Sequence, residues 1–224
     1  MLLRNKDCMW NSSDSAAVAS TVAAAKTIYL FRHGMTECNK RYAYCGITDV
    51  PVCSEGKEQL MEMKKQFAYP DISRCTVVTS GMKRTIQTLK ILYPDYCTRA
   101  EKMPALQEMN FGVFEGKSYE ELKSDSDYQS WITGDNEKNV CPGGESGLDM
   151  KRRVLDAFRS IAEDANSYAL FMHGGPMACI MESLFPNEHK NRWQWQRDFG
   201  MGYALTCSVH EWQYVPIPQL KKNV

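Results

Sequence analysis

Three short apolar runs, Thr27–Phe31, Cys75–Val78 and Tyr168–Met172, each lead into a polar turn and then into a helical pattern. Strand-forming residues dominate all three, so each reads as a buried β-strand feeding a helix. Strands alternating with helices predict an α/β domain of three layers, α/β/α, with a mostly parallel central sheet. Parallel strands present their carboxyl ends together, and ligands of such sheets sit beyond those ends. The three exits are Arg32-His33-Gly34, Ser80 to Arg84, and His173-Gly174-Gly175. They are expected to meet on one rim.

The rest of the chain falls into place around these units. Ser54 caps a helix to about Tyr69, with Leu60, Met63 and Phe67 on its buried face, and a second helix runs through Leu92. Ser118 and Glu121 form a capping box for a short helix. A longer helix spans about Gly147 to Asp164, with Leu148, Val154, Leu155, Phe158 and Ile161 on one face. Gly202 to His210 reads as a late strand, with Trp212 to Val215 as its edge partner. Residues 110–146 look like an insertion that covers a site. Residues 1–25 have no amphipathic period and read as a disordered or loosely helical extension, leaving one domain over 26–224.

Charge narrows the function. Lys+Arg 27 balances Asp+Glu 27, so no basic field exists to hold nucleic acid and any anion recognition is local. No apolar run is long enough to span a bilayer, and the first 26 residues lack a secretory apolar core. A cytoplasmic protein without membrane or nucleic-acid partners is expected. The nine cysteines form no C-x-x-C pair, which argues for free thiols over a zinc site or disulfide framework. Of the four histidines, His33 and His173 sit at strand exits, whereas His189 and His210 have no motif around them.

The rim gathers Arg32, His33, Arg84 and His173. A guanidinium matches a tetrahedral phosphoryl group with paired donors and stays charged at any working pH. Two arginines beside a histidine imply a dianion. Lys83, Lys151, Arg152 and Arg153 read either as a field that greets such an anion or as ordinary solvated faces.

With these residues the sequence resembles the histidine phosphatase superfamily, also called the phosphoglycerate mutase-like family, from Lys26 onward. Arg32-His33-Gly34-Met35-Thr36-Glu37-Cys38-Asn39 resembles its R-H-G-x-T-x-x-N signature, and Gly46 to Pro51 its G-x-x-D-x-P loop. Thr79-Ser80 with Arg84 and Thr88 is similar to the S-S-x-x-x-R-x-x-x-T block. Leu106 to Gly116 resembles L-x-E-x-x-F-G-x-x-E-G, and His173-Gly174-Gly175 supplies a second H-G. Met35 stands where the family often has a polar residue, and Cys53 where threonine is common.

The resemblance implies that His33 attacks phosphorus and forms a phosphohistidine, while Arg32, Arg84 and His173 hold the non-bridging oxygens. It implies Glu108 as the proton donor to the leaving alkoxide and then the base for water, although Glu101, Glu115 and Glu120 lie nearby. Asn39, Gly46 and Gly174 are implied to complete the anion pocket, with no metal and no cofactor. The acid block lacks the Arg-His-Tyr set of phosphoglycerate mutases. The likeness therefore leans to phosphatases of small soluble phosphomonoesters, most of all α-ribazole phosphatases and broad-specificity relatives. A phosphoglycerate mutase and a catalytically silent phosphate-binding module are the alternatives. The substrate is expected to be a small phosphorylated molecule, and a homodimer is left open.

Overall fold

β1 (Thr27–Arg32) lies inside a six-stranded sheet because its TIYLFR sequence offers apolar side chains to both faces. The computed structural model describes residues 26–135, 137–208 and 211–221, so the extension expected over 1–25, and His210, lie outside the described residues. In chain order β1 is followed by α1 (Glu37–Lys40), α2 (Ser54–Gln66), β2 (Phe67–Ala68), β3 (Cys75–Thr79), α3 (Lys83–Leu92) and β4 (Glu101–Lys102). The insertion holds α4 (Tyr119–Leu122) and α5 (Ser126–Ile132). Then come α6 (Gly147–Glu163), β5 (Ser167–Met172), α7 (Gly174–Leu184), α8 (Arg192–Trp195), β6 (Gly202–Ser208), β7 (Glu211–Ile217) and β8 (Gln219–Leu220).

The large sheet has the order β4-β3-β5-β1-β6-β7. β4, β3, β5 and β1 are mutually parallel, whereas β6 runs antiparallel to β1 and β7 antiparallel to β6, so the sheet is mixed and its four parallel neighbours carry the strand exits. Alternation along the strands divides the core in two. Ile28, Leu30, Val78, Leu170 and Met172 pack with Val154, Phe158 and Ile161 of α6 and Met177, Ile180 and Met181 of α7. Phe31, Val77, Ala169 and Phe171 turn the other way, onto Leu60 of α2 and Leu89 and Leu92 of α3. Each of these buried side chains larger than alanine contributes about 1.5–3 kcal/mol of transfer free energy. The outcome is the expected three layers.

Several boundaries differ from the sequence reading, each for a local reason. α2 begins after Cys53, whose sulfur accepts from the Gly56 N–H at 3.3 Å, so cysteine performs the capping that threonine would. The helix stops at Gln66 because Phe67–Ala68 pairs with Gln219–Leu220 as a two-stranded sheet. In α6, Leu148 is 41% exposed and Met150 takes its place in the core. Ser146 caps that helix in a reciprocal box with Asp149, which the sequence reading did not include, and the expected box of Ser118 with Glu121 is present on α4. The insertion is a packed lobe: Phe114, Leu122, Tyr128, Trp131 and Cys141 are buried, and the Tyr44 and Tyr128 hydroxyls meet at 2.7 Å.

Candidate active site

The first half of the site is set by the strand ladder. Arg32 pairs with Met172 at the ends of β1 and β5, and the His33 N–H extends the ladder by donating to Met172 O at 3.0 Å. On the other side of β5, Ser80 N–H donates to Phe171 O at 3.1 Å. His33, Ser80 and His173 are thereby fixed on adjacent rails. The two imidazoles lie 5.1 Å apart, centroid to centroid, at 60°. The convergence expected from the sequence is present.

His33 is 5% exposed. Its Nδ1 lies 2.7 Å from Gly34 O, an acceptor only, so Nδ1 carries the proton and Nε2 keeps a lone pair. Burial, followed by the nearby Arg84 charge, holds its pKa well below 6.5, with the Gly34 contact opposing and Arg32 adding to the lowering. The ring is a neutral imidazole with an unprotonated Nε2 in a cationic setting. Gly34 N–H in turn donates to Thr88 Oγ1, which donates to Arg84 O, tying the first motif block to the third.

His173 has the opposite arrangement. Its Nδ1 accepts from Arg84 Nε at 3.2 Å, and its Nε2 lies 2.8 Å from Ser80 Oγ. Thr85 spends its only hydroxyl proton on Met82 O, so Ser80 donates to Thr85 and must accept from His173. The network assigns the Nε2–H tautomer. Burial comes first in holding this pKa well below 6.5, followed by the charge of Arg84 and the other basic neighbours.

Arg84 is fully buried, and three of its N–H groups are committed: Nε to His173, Nη1 to Thr48 O at 2.9 Å and Nη2 to Gly46 O at 2.6 Å. Arg32 donates through Nη1 to Arg197 O at 2.7 Å, and its guanidinium lies 4.3 Å from the Phe199 ring centroid. Its Nε is buried with no hydrogen-bond partner. An orphaned cationic N–H beside a neutral imidazole is a ready anchor for an anion. Burial lowers the Arg32 pKa, while Glu108 and Asp198 act in the opposite direction.

Glu108 reaches the same rim from the loop after Pro104–Leu106. Its Oε2 accepts from Gly175 N–H at 2.9 Å, at the start of α7, and its Oε1 from Met109 N–H at 3.1 Å. A Cβ on residue 175 would lie 2.1 Å from Oε1, so only glycine admits the carboxylate here. Gly174 is placed alike, its open side against Gln196 Oε1 and Arg32 Nε. Asn39 Oδ1 is taken by Thr36 N–H and Oγ1 in the capping box of α1, and the Gly46 N–H is held by Glu115. The Gly46 N–H is thus spent on Glu115 and not turned to an anion, and Gly46 meets the site through its carbonyl on Arg84 Nη2.

The roles of three residues were not anticipated. Arg153 points inward from α6, holding Ala105 O, Gln107 O and Glu108 O together with the Glu145 carboxylate, so it is neither a greeting charge nor a solvated one. Phe199 lies against both Arg32 and His33. Glu115 binds the loop around Gly46; the second Glu-Gly of the Leu106–Gly116 block was its signal in the sequence.

The model of the histidine phosphatase superfamily (branch 1) matches residues 28–217. The chain belongs to this superfamily. Among curated members, it is 29% identical over 160 residues to the probable phosphoglycerate mutase GpmB of Yersinia enterocolitica, covering 70% of this chain and 74% of that one. It is 31% identical over 157 residues to the mouse 6-phosphofructo-2-kinase/fructose-2,6-bisphosphatase 1, spanning 70% of this chain but 32% of that longer protein. Among solved structures, a putative alpha-ribazole-5'-P phosphatase from Escherichia coli superimposes with TM-score 0.76 at 21% identity, covering 89% of this chain and all of that one. A phosphoglycerate mutase from Bacillus anthracis superimposes with TM-score 0.66 at 16% identity, covering 88% and 94%. The superfamily likeness thus extends from the motif blocks to the whole fold.

Proposed function

We propose that this member of the histidine phosphatase superfamily hydrolyses small phosphomonoesters through a phosphohistidine. The observation that carries the reading is the state of His33: buried, neutral, with Nδ1–H spent on Gly34 O and the Nε2 lone pair left for attack. In the first step Nε2 attacks phosphorus, the bond to the leaving oxygen breaks, and Glu108 gives that oxygen a proton. In the second, Glu108 takes a proton from water, whose oxygen attacks phosphorus, and the P–N bond breaks to release inorganic phosphate. Arg32 and Arg84 stabilise the charge that spreads over the non-bridging oxygens, and His173, engaged at both nitrogens, orients Arg84 for that task. Two arginines supply the positive charge, so no metal is required in this scheme. An α-ribazole phosphate is one substrate of the right class, as are other phosphorylated metabolites.

Release of inorganic phosphate from p-nitrophenyl phosphate and a panel of phosphorylated sugars, glycerates and nucleosides tests the proposal. Activity should persist in EDTA, and an acid-labile phosphoryl adduct should be trapped on His33. Abolition by chelator would overturn it. The curated likeness to probable phosphoglycerate mutases supports a second reading, in which phosphoglycerate is isomerised with a bisphosphate primer. Stoichiometric phosphate release without isomerisation eliminates that reading.

A further inference from the structure

Glu115 touches neither imidazole, yet its carboxylate is among the most heavily bonded on the described chain. Oε1 accepts from Gly46 N–H and Ile47 N–H, each at 3.0 Å, and from Phe111 N–H at 3.1 Å. Oε2 accepts from Gly46 N–H at 3.1 Å, Thr48 N–H at 3.2 Å and Thr48 Oγ1 at 2.6 Å. Pulling three consecutive N–H groups to one side turns the carbonyls of the same loop outward. Those of Gly46 and Thr48 are the ones that hold Arg84 Nη2 and Nη1. The loop passes close to the neighbouring backbone, where only glycine fits: a Cβ on residue 46 would lie 1.6 Å from Met109 O. A carboxylate and a guanidinium therefore grip opposite sides of one short peptide segment. The aligned peptide dipoles between them favour the negative charge on the N–H side and the positive charge on the carbonyl side.

We infer that Glu115 is a positioning residue for the reaction, acting through the Gly46–Thr48 loop to orient Arg84 and, through Arg84 Nε, to hold His173 in its Nε2–H tautomer. This rests on the phosphatase reading, because it matters only if Arg84 and His173 face the transferring phosphoryl group. Removing the carboxylate leaves up to five donors competing for the remaining acceptors. The loop then relaxes, and Arg84 loses the carbonyls that fix its plane. A displacement of about 1 Å in such a group costs on the order of 100-fold in rate.

The test is a double-mutant cycle on kcat/KM for p-nitrophenyl phosphate with wild type, E115Q, R84K and E115Q/R84K, each checked for folding by circular dichroism. Arg84→Lys alone should lose at least about 100-fold, since lysine cannot reproduce the three directed contacts. Glu115→Gln should lose about 30- to 100-fold, chiefly in kcat, and the double variant should be no worse than R84K within about threefold. In 15N-histidine spectra, E115Q should convert His173 from a single Nε2–H species to a mixture of tautomers while leaving His33 unchanged. Should E115Q fail to fold, Glu115→Asp, which keeps the charge one methylene short, takes its place in the cycle. Multiplicative effects in the double variant, or a Glu115 variant within twofold of wild type, overturn the inference. An R84K protein as active as wild type instead overturns the phosphatase reading itself.

Discussion

The two strand exits that end in His-Gly are alike in sequence and opposite in physical state. At the end of β1, His33 spends one nitrogen on its own neighbour's carbonyl and leaves the other unbonded among cationic groups. At the end of β5, His173 has both nitrogens engaged by side chains from the β3 exit, and it stands as the N-cap of an eleven-residue helix. Both rings are buried and both resist protonation. The difference lies in their partners, since a backbone acceptor i+1 sets a tautomer without occupying the reactive face, whereas the Arg84 and Ser80 contacts fix the ring from both ends. One ring keeps an unprotonated nitrogen open, and the other is locked between Arg84 and Ser80.

The strongest way to break this comparison is to delete each ring. His33→Ala should reduce turnover of p-nitrophenyl phosphate by at least about 10⁴-fold, as expected for loss of a nucleophile, while His173→Ala should cost about 10²–10³-fold, as for loss of the ring that orients Arg84. Equal losses, or loss of the trapped phosphoryl adduct in the His173 variant alone, would reverse the roles. Next in size is the pH response. Each ring has a folded pKa well below its unfolded value of about 6.5, so above pH 6.5 both states are neutral and nothing is lost. Below 6.5 the unfolded chain takes up protons that the folded chain refuses, and each ring removes up to about 1.4 kcal/mol of stability per pH unit until its folded pKa is reached. Urea midpoints should therefore fall more steeply on acidification in wild type than in His33→Ala or His173→Ala. A ring that titrates at or above 6.5 by NMR would break the account. The smallest expected effect sharpens it: Ser80→Ala should slow turnover about tenfold and mix the His173 tautomers, while His33 keeps its Nδ1–H form.

Much of this arrangement was legible because strands announce themselves by composition and because the reactive residues sit in short blocks at strand exits. His33, Arg84 and His173 needed no knowledge of long-range contacts beyond the parallel sheet that brings the exits together. Helix phase was harder to read at the ends. Met150 lies four residues before Val154 and shares its face, whereas Leu148 lies six before and is turned away, where its N–H meets Glu137 O. The roles of the supporting charges were less legible. Arg153 carries no local signal that separates it from Arg152 beside it, yet one is folded over the Glu108 loop and the other is paired with Asp149 near the surface. Glu108 and Glu115 share one loop and one chemistry. Only the folded chain reveals that one accepts two N–H groups at the rim and the other is saturated behind it.

The contact from His33 N–H to Met172 O has a further consequence. With the reactive ring anchored by the backbone to the innermost strands, no soft joint separates chemistry from core. Gradual loss of function by fraying at the periphery has no starting point at this rim, and heat should extinguish catalysis and tertiary structure in a single cooperative event.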